Sequence, residues 1–432
     1  MIRPAYLVLR VLMIFNKKVK DRENSWKQLL NNFETAKYGS KRIWFHASSM
    51  GEFEQAKPII ENLKMQMPDI CIIVSFYSPS GYNNQKLYKF ADYILYMPFD
   101  LKSRANEFIS RINPLIAVFV RYDLWYNHLR LLKEKEIPTY LICATKTNSD
   151  FYLQNSLLNA IYLNNLNLIN FIYTAGETHT KFFENLNINP KVITSADTRF
   201  DRIIGKVEEL KQNKLEFSDI FKDKIVLIAG STWREDEEIL KDFYSMIKKK
   251  IDNFILIIVP HEPTENCVNK LSADFTNSLL FSDLLISYNS EYKLKSDVVL
   301  VDSIGNLLKL YSIANYAYIG GAFGAGIHSV AEPAGFGIPI FFGTNFSKSL
   351  DAVNLVKQKS AFSISFAEEM FDIFLKLSKD KNLNDKIGIA NRDYIYTAQG
   401  ESEKITNVLI ENLKHYSEIK FNVSEVKTAQ TL

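Results

Sequence analysis

Arg42 to Ile60 reads RIWFHASSMGEFEQAKPII: a β-favouring run, a turn of small residues, and then a helix with Ile59 and Ile60 on its apolar side. A strand that passes through small residues straight into a helix is the opening of a βαβ unit. The same rhythm follows in ICIIVSF (Ile70 to Phe76), LIAVFV (Leu115 to Val120) and TYLI (Thr139 to Ile142), each separated by a helix-like segment. Continuous apolar strands alternating with helices mean a parallel sheet covered on both faces. After the charged stretch KVEELKQNKLEFSDIFKDK, which starts at Lys206, the rhythm restarts. The second series is IVLIA (Ile225 to Ala229), FILIIV (Phe254 to Val259), VVLV (Val298 to Val301), YAYIG (Tyr316 to Gly320) and IPIFF (Ile338 to Phe342). The expected fold is α/β, two doubly wound Rossmann-like domains in tandem, at 23–205 and 225–420, with 206–224 as linker and 421–432 as a polar tail. Ligands bind beyond the carboxyl ends of the strands in such sheets, so a cleft between the domains is the expected site.

Composition narrows the function. The 432 residues carry 52 Lys+Arg against 49 Asp+Glu, a net +3 too even for a protein that binds nucleic acid by neutralising phosphates. Hydrophobic residues at 47% and charged residues at 23% describe a folded chain. Cys71, Cys143 and Cys267 are far apart with no CxxC pair, which excludes a thiolate zinc site or a disulfide framework and fits a reducing, cytoplasmic setting. No apolar run reaches membrane-spanning length. Residues 1–22 instead combine AYLVLRVLMIF (Ala5 to Phe15) with Lys17, Lys18, Lys20 and Arg22. That pairing suits an amphipathic segment lying on an anionic membrane surface, or equally a first helix packed on its own domain.

Three segments could carry chemistry. Glu52 follows Gly51 at the first helix start, where a carboxylate caps a helix electrostatically or takes a proton from an incoming hydroxyl. LIAGSTWREDEE, from Leu227, runs a strand into Ser231 and Thr232 and an acidic helix start, a turn that holds a phosphate or only caps. IGGAFGAGIHSVAEPAGFGIPIFFG (Ile319 to Gly343) concentrates seven of the chain's 16 glycines beside His328 and Glu332. At i and i+4 these two are expected on one helix face, with the glycines as a phosphate cradle and the carboxylate for a ribose hydroxyl. There is no GxGxxG at the first strand, which argues against a nicotinamide dinucleotide.

Taken together, the motifs resemble the 3-deoxy-D-manno-octulosonic acid (Kdo) transferases, two-domain GT-B glycosyltransferases of lipopolysaccharide synthesis. The resemblance runs from about Ile43 to about Val356: WFHASSMGE (Trp44 to Glu52), RYDLWYN (Arg121 to Asn127) for the family's ETELWPN, ADTRFD (Ala196 to Asp201) for GNLKFD, AGST (Ala229 to Thr232), and GIHSVAEP (Gly326 to Pro333) for GHNPLEP. It implies Glu52 as catalytic base, with Arg199 in place of the family lysine and Arg121 where the family has a glutamate. Ser48, Ser49, Gly51, Asp123 and Lys146 are implied on the acceptor side. Ser231, His261, Glu262, Ile304, Gly305, Asn306, His328, Ser329, Val330, Ala331 and Glu332 are implied around CMP. PHEPTE (Pro260 to Glu265) stands for PRHPER and lacks both arginines, and GNL (Gly305 to Leu307) replaces GEL. The resemblance further implies CMP-Kdo as donor, a lipid A precursor as acceptor, inversion at the anomeric carbon, no metal or other cofactor, and residence on the cytoplasmic face of the inner membrane. A GT-B transferase using another nucleotide sugar, or a noncatalytic membrane-surface binding protein, would share much of this pattern.

Overall fold

The computed structural model describes residues 17–33, 41–146, 155–289, 291–324 and 326–429, with side chains from Lys20 to Tyr416. Two compact units result: the first reaches Asp201 and takes the chain up again from Gly400, and the second is Arg202–Gln399.

The first unit is a parallel sheet of β1 (Arg42–Ala47), β2 (Cys71–Phe76), β3 (Tyr93–Tyr96), β4 (Ile116–Val120), β5 (Thr139–Ala144), β6 (Phe171–Thr174) and β7 (Lys191–Thr194). Its order, β3-β2-β1-β4-β5-β6-β7, reverses direction between β1 and β4, and the carboxyl ends of that pair are where a doubly wound sheet holds ligands. Every residue of β1, β2, β4 and β5 is buried, as continuous apolar strands require. Trp44, Phe108 and Phe119 meet edge to face on one side of the sheet. Phe53, Ile59, Ile60 and Leu63 from the helix Met50–Gln66 cover the other. Each such side chain removed from water contributes about 1.5–3 kcal/mol.

The second unit repeats the scheme with β8 (Ile225–Thr232), β9 (Phe254–Pro260), β10 (Leu279–Leu280), β11 (Val298–Leu300), β12 (Tyr316–Ile319), β13 (Ile340–Phe342) and β14 (Ala361–Ser363), in the order β10-β11-β9-β8-β12-β13-β14. The strands found by periodicity are all present, with ends moved by up to three residues. Five were not expected: β3, β6, β7, β10 and β14. They have two to four residues apiece, too few for an apolar run to stand out from its flanks, and β7 (KVIT) lies at a sheet edge with no buried residue.

The expected boundaries need correction in three places. The charged stretch at 206–224 is no plain linker, because the helix Arg199–Gln212 occupies its first third and buries Phe200, Ile203, Ile204, Val207 and Leu210 at helical spacing. The second domain does not extend to 420. From Gly400 the chain belongs to the first unit, where the helix Glu401–Ala429 packs Ile405, Leu409 and Leu413 (i, i+4, i+8) into the core around Phe53. Asp201 fixes its start, accepting from the N–H groups of Gly400 and Ser402 at 2.7 Å each. Arg22 is not a surface cation. It lies within the helix Lys17–Asn31, 3% exposed, with its guanidinium 3.9 Å from the Tyr77 ring and 2.7 Å from Glu23. Ala5 to Phe15, the expected membrane-associating stretch, lies outside the described residues.

Candidate active site

In the first unit the turn after β1 carries Ser48 and Ser49, and the helix Met50–Gln66 starts immediately. Ser49 Oγ accepts from the Glu52 N–H at 3.4 Å, and Glu52 Oε2 accepts from the Ser49 N–H at 3.1 Å, a reciprocal capping box. The two roles weighed for Glu52 therefore coexist, for the carboxylate that caps the helix is also 5% exposed and electrostatically loaded. Burial first, and the Asp123 charge second, push the Glu52 carboxyl above its ordinary value against the Ser49 and Ser48 N–H groups and His46. A carboxylate moved toward neutrality is better matched to proton abstraction at physiological pH.

Asp123 arrives from the end of β4. Its Oδ2 accepts a short hydrogen bond from Ser48 Oγ and lies 2.7 Å from His46 Nε2. Burial alone would raise the Asp123 carboxyl, but the His46 charge and hydrogen bonds from His46 and Ser48 bring it below its ordinary value. His46 meets Ser75 Oγ through Nδ1 at 2.8 Å, and Ser75 Oγ accepts from Trp44 Nε1 at 2.8 Å. Neither His46 nor Ser75 stood out in the sequence, since both sit in apolar strands and meet only because β1 and β2 pair His46 with Ser75.

The cations are placed separately. Arg121 follows β4 in the left-handed region (φ 64°), and its N–H donates to the Ile142 carbonyl at 2.9 Å. Lys146 follows β5, exposed, its N–H donating to His179 Nδ1 at 2.9 Å. Arg199 starts the helix Arg199–Gln212 and grips Asp197, with Nη2 to Oδ2 at 2.7 Å and Nε to Oδ1 at 3.0 Å. Gln55 Nε2 donates to Asp197 at 2.9 Å, which ties this pair to the helix turn next to Glu52. Gly51 is exposed at that helix start.

In the second unit the expected helix face is absent. The helix there is only Ala331–Phe336, so His328 precedes it and shares no face with Glu332. A helix through both would need a Pro333 N–H for the Ser329 carbonyl; proline has none, and its ring clashes there, so the helix starts with Pro333 in its first turn. His328 instead joins an aromatic stack. Trp233 lies on His261 (4.7 Å, 22°), His261 on His328 (4.5 Å, 24°), and Trp233 Nε1 donates to His328 Nε2 at 3.1 Å. Burial, then His261, lowers the His328 value, so the neutral ring accepts from Trp233. Trp233 and Asp236 were missed as site residues. Asp236 Oδ2 accepts from the Trp233 N–H at 2.9 Å and the Gly321 N–H at 2.8 Å, and Oδ1 from Tyr318 OH at 2.8 Å.

Glycine is needed where the glycine-rich loop meets β8. A Cβ on Gly320 would lie 2.3 Å from the Ser231 carbonyl oxygen. Ser231 is the extra residue where Gly230 pairs with Val259 and Thr232 with Pro260, and has φ 55°. Val330 and Ala331 are buried, so only their backbone can meet a ligand, whereas Ser329 is exposed and Glu332 half-buried. Glu262 is exposed beside His261. Ile304, 88% exposed, Gly305 (φ 88°) and Asn306, whose amide donates to Ser303 Oγ at 2.8 Å, form a turn beyond β11.

Residues 24–202 match the family model described as 3-deoxy-D-manno-octulosonic-acid transferase (kdotransferase). A bifunctional glycosyltransferase/methyltransferase of Fusobacterium nucleatum is 25% identical over 398 residues; the match takes in 88% of this chain and only 60% of that protein. 3-Deoxy-D-manno-octulosonic acid transferases of Rickettsia bellii and Haemophilus influenzae are 26% and 24% identical, with 79% and 85% of this chain matched to 80% and 86% of theirs. Among solved structures, a UDP-GlcNAc 2-epimerase from Neisseria meningitidis aligns over 86% of this chain and all of its own (TM-score 0.60, 17% identity). Acinetobacter baumannii MurG aligns over 86% and 99% (TM-score 0.55, 14% identity). The fold is therefore of the GT-B type, two Rossmann-like α/β units.

Proposed function

We propose that this chain, a member of the 3-deoxy-D-manno-octulosonic-acid transferase family, moves Kdo from CMP-Kdo to a hydroxyl of a lipid A precursor, with inversion at the anomeric carbon. The observation that carries the reading is Glu52, a buried carboxylate pushed upward in proton affinity and hydrogen-bonded in a capping box at the carboxyl end of β1. In the step proposed, Glu52 takes the acceptor proton as the hydroxyl oxygen bonds to the anomeric carbon and the bond from that carbon to the CMP phosphate breaks. Arg199, oriented by Asp197, supplies positive charge toward the departing phosphate. The Trp233–His261–His328 stack, with the backbone from Ser329 to Glu332, serves the nucleotide. Arg121 and Lys146 are assigned to the acceptor side with Ser48 and Asp123.

Work on a lipid acceptor calls for a membrane surface. Among the described residues no helix is long and apolar enough to cross a membrane. The proposal assigns surface attachment, on the cytoplasmic face of the inner membrane, to Ala5 to Phe15 with Lys17, Lys18 and Lys20.

The test is release of CMP from CMP-Kdo in the presence and absence of a lipid A precursor, with a UDP-sugar panel as competing donors. Release that needs both CMP-Kdo and the lipid, and is not supported by UDP sugars, is expected. Turnover of a UDP sugar in preference to CMP-Kdo would overturn the donor assignment.

A further inference from the structure

We propose that Arg121, Lys146 and His179 form an oxyanion-binding site on the first unit, for a phosphate monoester or a carboxylate carried by a sugar ligand. The three lie beyond neighbouring parallel strands: Arg121 directly after β4, Lys146 after β5, and His179 after β6 on the helix Glu177–Glu184. Backbone hydrogen bonds lock them together. The Arg121 N–H is held by Ile142 of β5, the Ala175 N–H by Ala144 at 2.9 Å, and the Lys146 N–H by the His179 ring.

That last bond decides the tautomer. His179 Nδ1 accepts a backbone N–H, so it carries no proton, and the neutral ring must hold its proton on Nε2. His179 is 7% exposed, and its Nε2 has no hydrogen-bond partner among the described residues; neither has Arg121 Nε, which is also buried. Two buried donors left unsatisfied cost stability unless something else accepts from them. Burial, then the Arg121 and Lys146 charges, lower the His179 value and keep the ring in this donor form. The nearby carboxylates are already engaged: Asp123 with His46 and Ser48, and Glu177 with Lys181 at 2.8 Å. An oxyanion would accept from both orphaned N–H groups while neutralising Arg121 and Lys146, which lie 5.6 Å and 5.7 Å from the rings of Tyr122 and Phe182. The site deepens the function proposed above by naming the group an acceptor presents besides its hydroxyl, and rests on it only for that ligand's identity.

Histidine-15N-labelled full-length protein, titrated with inorganic phosphate, a hexosamine phosphate and a free sugar acid, tests it. The His179 Nε2 signal, assigned by its loss in His179→Gln, should shift saturably, and the tighter of the two sugar probes names the anion. Arg121→Ala and Lys146→Ala should each weaken binding about tenfold. His179→Gln, which keeps an N–H donor, should stay within about threefold of wild type, whereas His179→Leu should weaken binding about tenfold; melting curves confirm that each variant is folded. An unmoved His179 signal with all three probes in folded wild type, or undiminished affinity in Arg121→Ala, overturns the site. CMP release is followed in the same preparations: transfer without probe binding overturns this site alone, and probe binding without transfer overturns the proposed reaction alone.

Discussion

His46 Nε2 lies 2.7 Å from Asp123 Oδ2, a contact that joins the carboxyl ends of β1 and β4 and holds a negative charge where it acts on Glu52. The two carboxyls consequently move apart, Asp123 downward and Glu52 upward, the separation expected when one acid is to stay ionised and the other is to exchange a proton.

Asp123→Asn should therefore move the acidic limb of the kcat/KM profile to lower pH. With Glu52 as the proposed base, the rate should rise as pH climbs through the Glu52 value, and removing the Asp123 charge removes one of the influences that raise it. Initial rates from pH 4 to pH 8 would show the shift; a limb that stays in place would separate Asp123 from the chemistry.

Stability at the second unit's loop should depend on Asp236. Asp236→Ala leaves the buried Gly321 N–H and the Tyr318 hydroxyl without their acceptor, a loss of about 2 kcal/mol or more. Gly320→Ala forces a Cβ against the Ser231 carbonyl and should cost about 1–3 kcal/mol. Urea unfolding of both variants is the check.

The sheets were legible because β1, β2, β4, β5, β8 and β9 are buried along almost their whole length, which leaves long apolar runs between helical segments. Glu52 was legible because it follows Gly51 at the first helix start and closes the motif Trp44 to Glu52, whereas its capping box with Ser49 emerged only in the structure. His46 with Asp123, and His179 with Lys146, were not. Each pair is 33 or more residues apart in sequence or depends on which strands are neighbours, and strand order does not appear in local periodicity. His328 and Glu332 have the i, i+4 spacing of one helix face, but Pro333 confines the helix to Ala331–Phe336 and leaves His328 outside it.

Trp233→Ala and His328→Ala should each weaken CMP binding about three- to tenfold, since a stacked aromatic pair is worth about 0.5–1.5 kcal/mol. Acceptor KM should not move. Calorimetric titration with CMP reads the effect, and unchanged affinity in both variants would return the stack to a purely structural role.

Removing residues 1–16 leaves the helix Lys17–Asn31 intact, with Arg22, Trp26 and Leu30 in their buried places. The truncated protein should keep CMP affinity and lose co-sedimentation with anionic vesicles. Sedimentation equal to wild type at low and high salt would contradict a membrane role for Ala5 to Phe15.

The most direct measurement is single-turnover transfer from CMP-Kdo by Glu52→Gln, with its thermal stability followed at pH 4 and pH 7. Glutamine at this position still completes the capping box, so the fold should hold. The raised folded-state value of Glu52 means that wild type loses stability as pH rises from its unfolded value through the folded one. Glu52→Gln should therefore gain relative to wild type at pH 7 more than at pH 4. Transfer should fall by about 10²–10⁴ with CMP affinity unchanged. A folded Glu52→Gln protein that transfers Kdo at a near-normal rate would contradict the assignment of Glu52 as base.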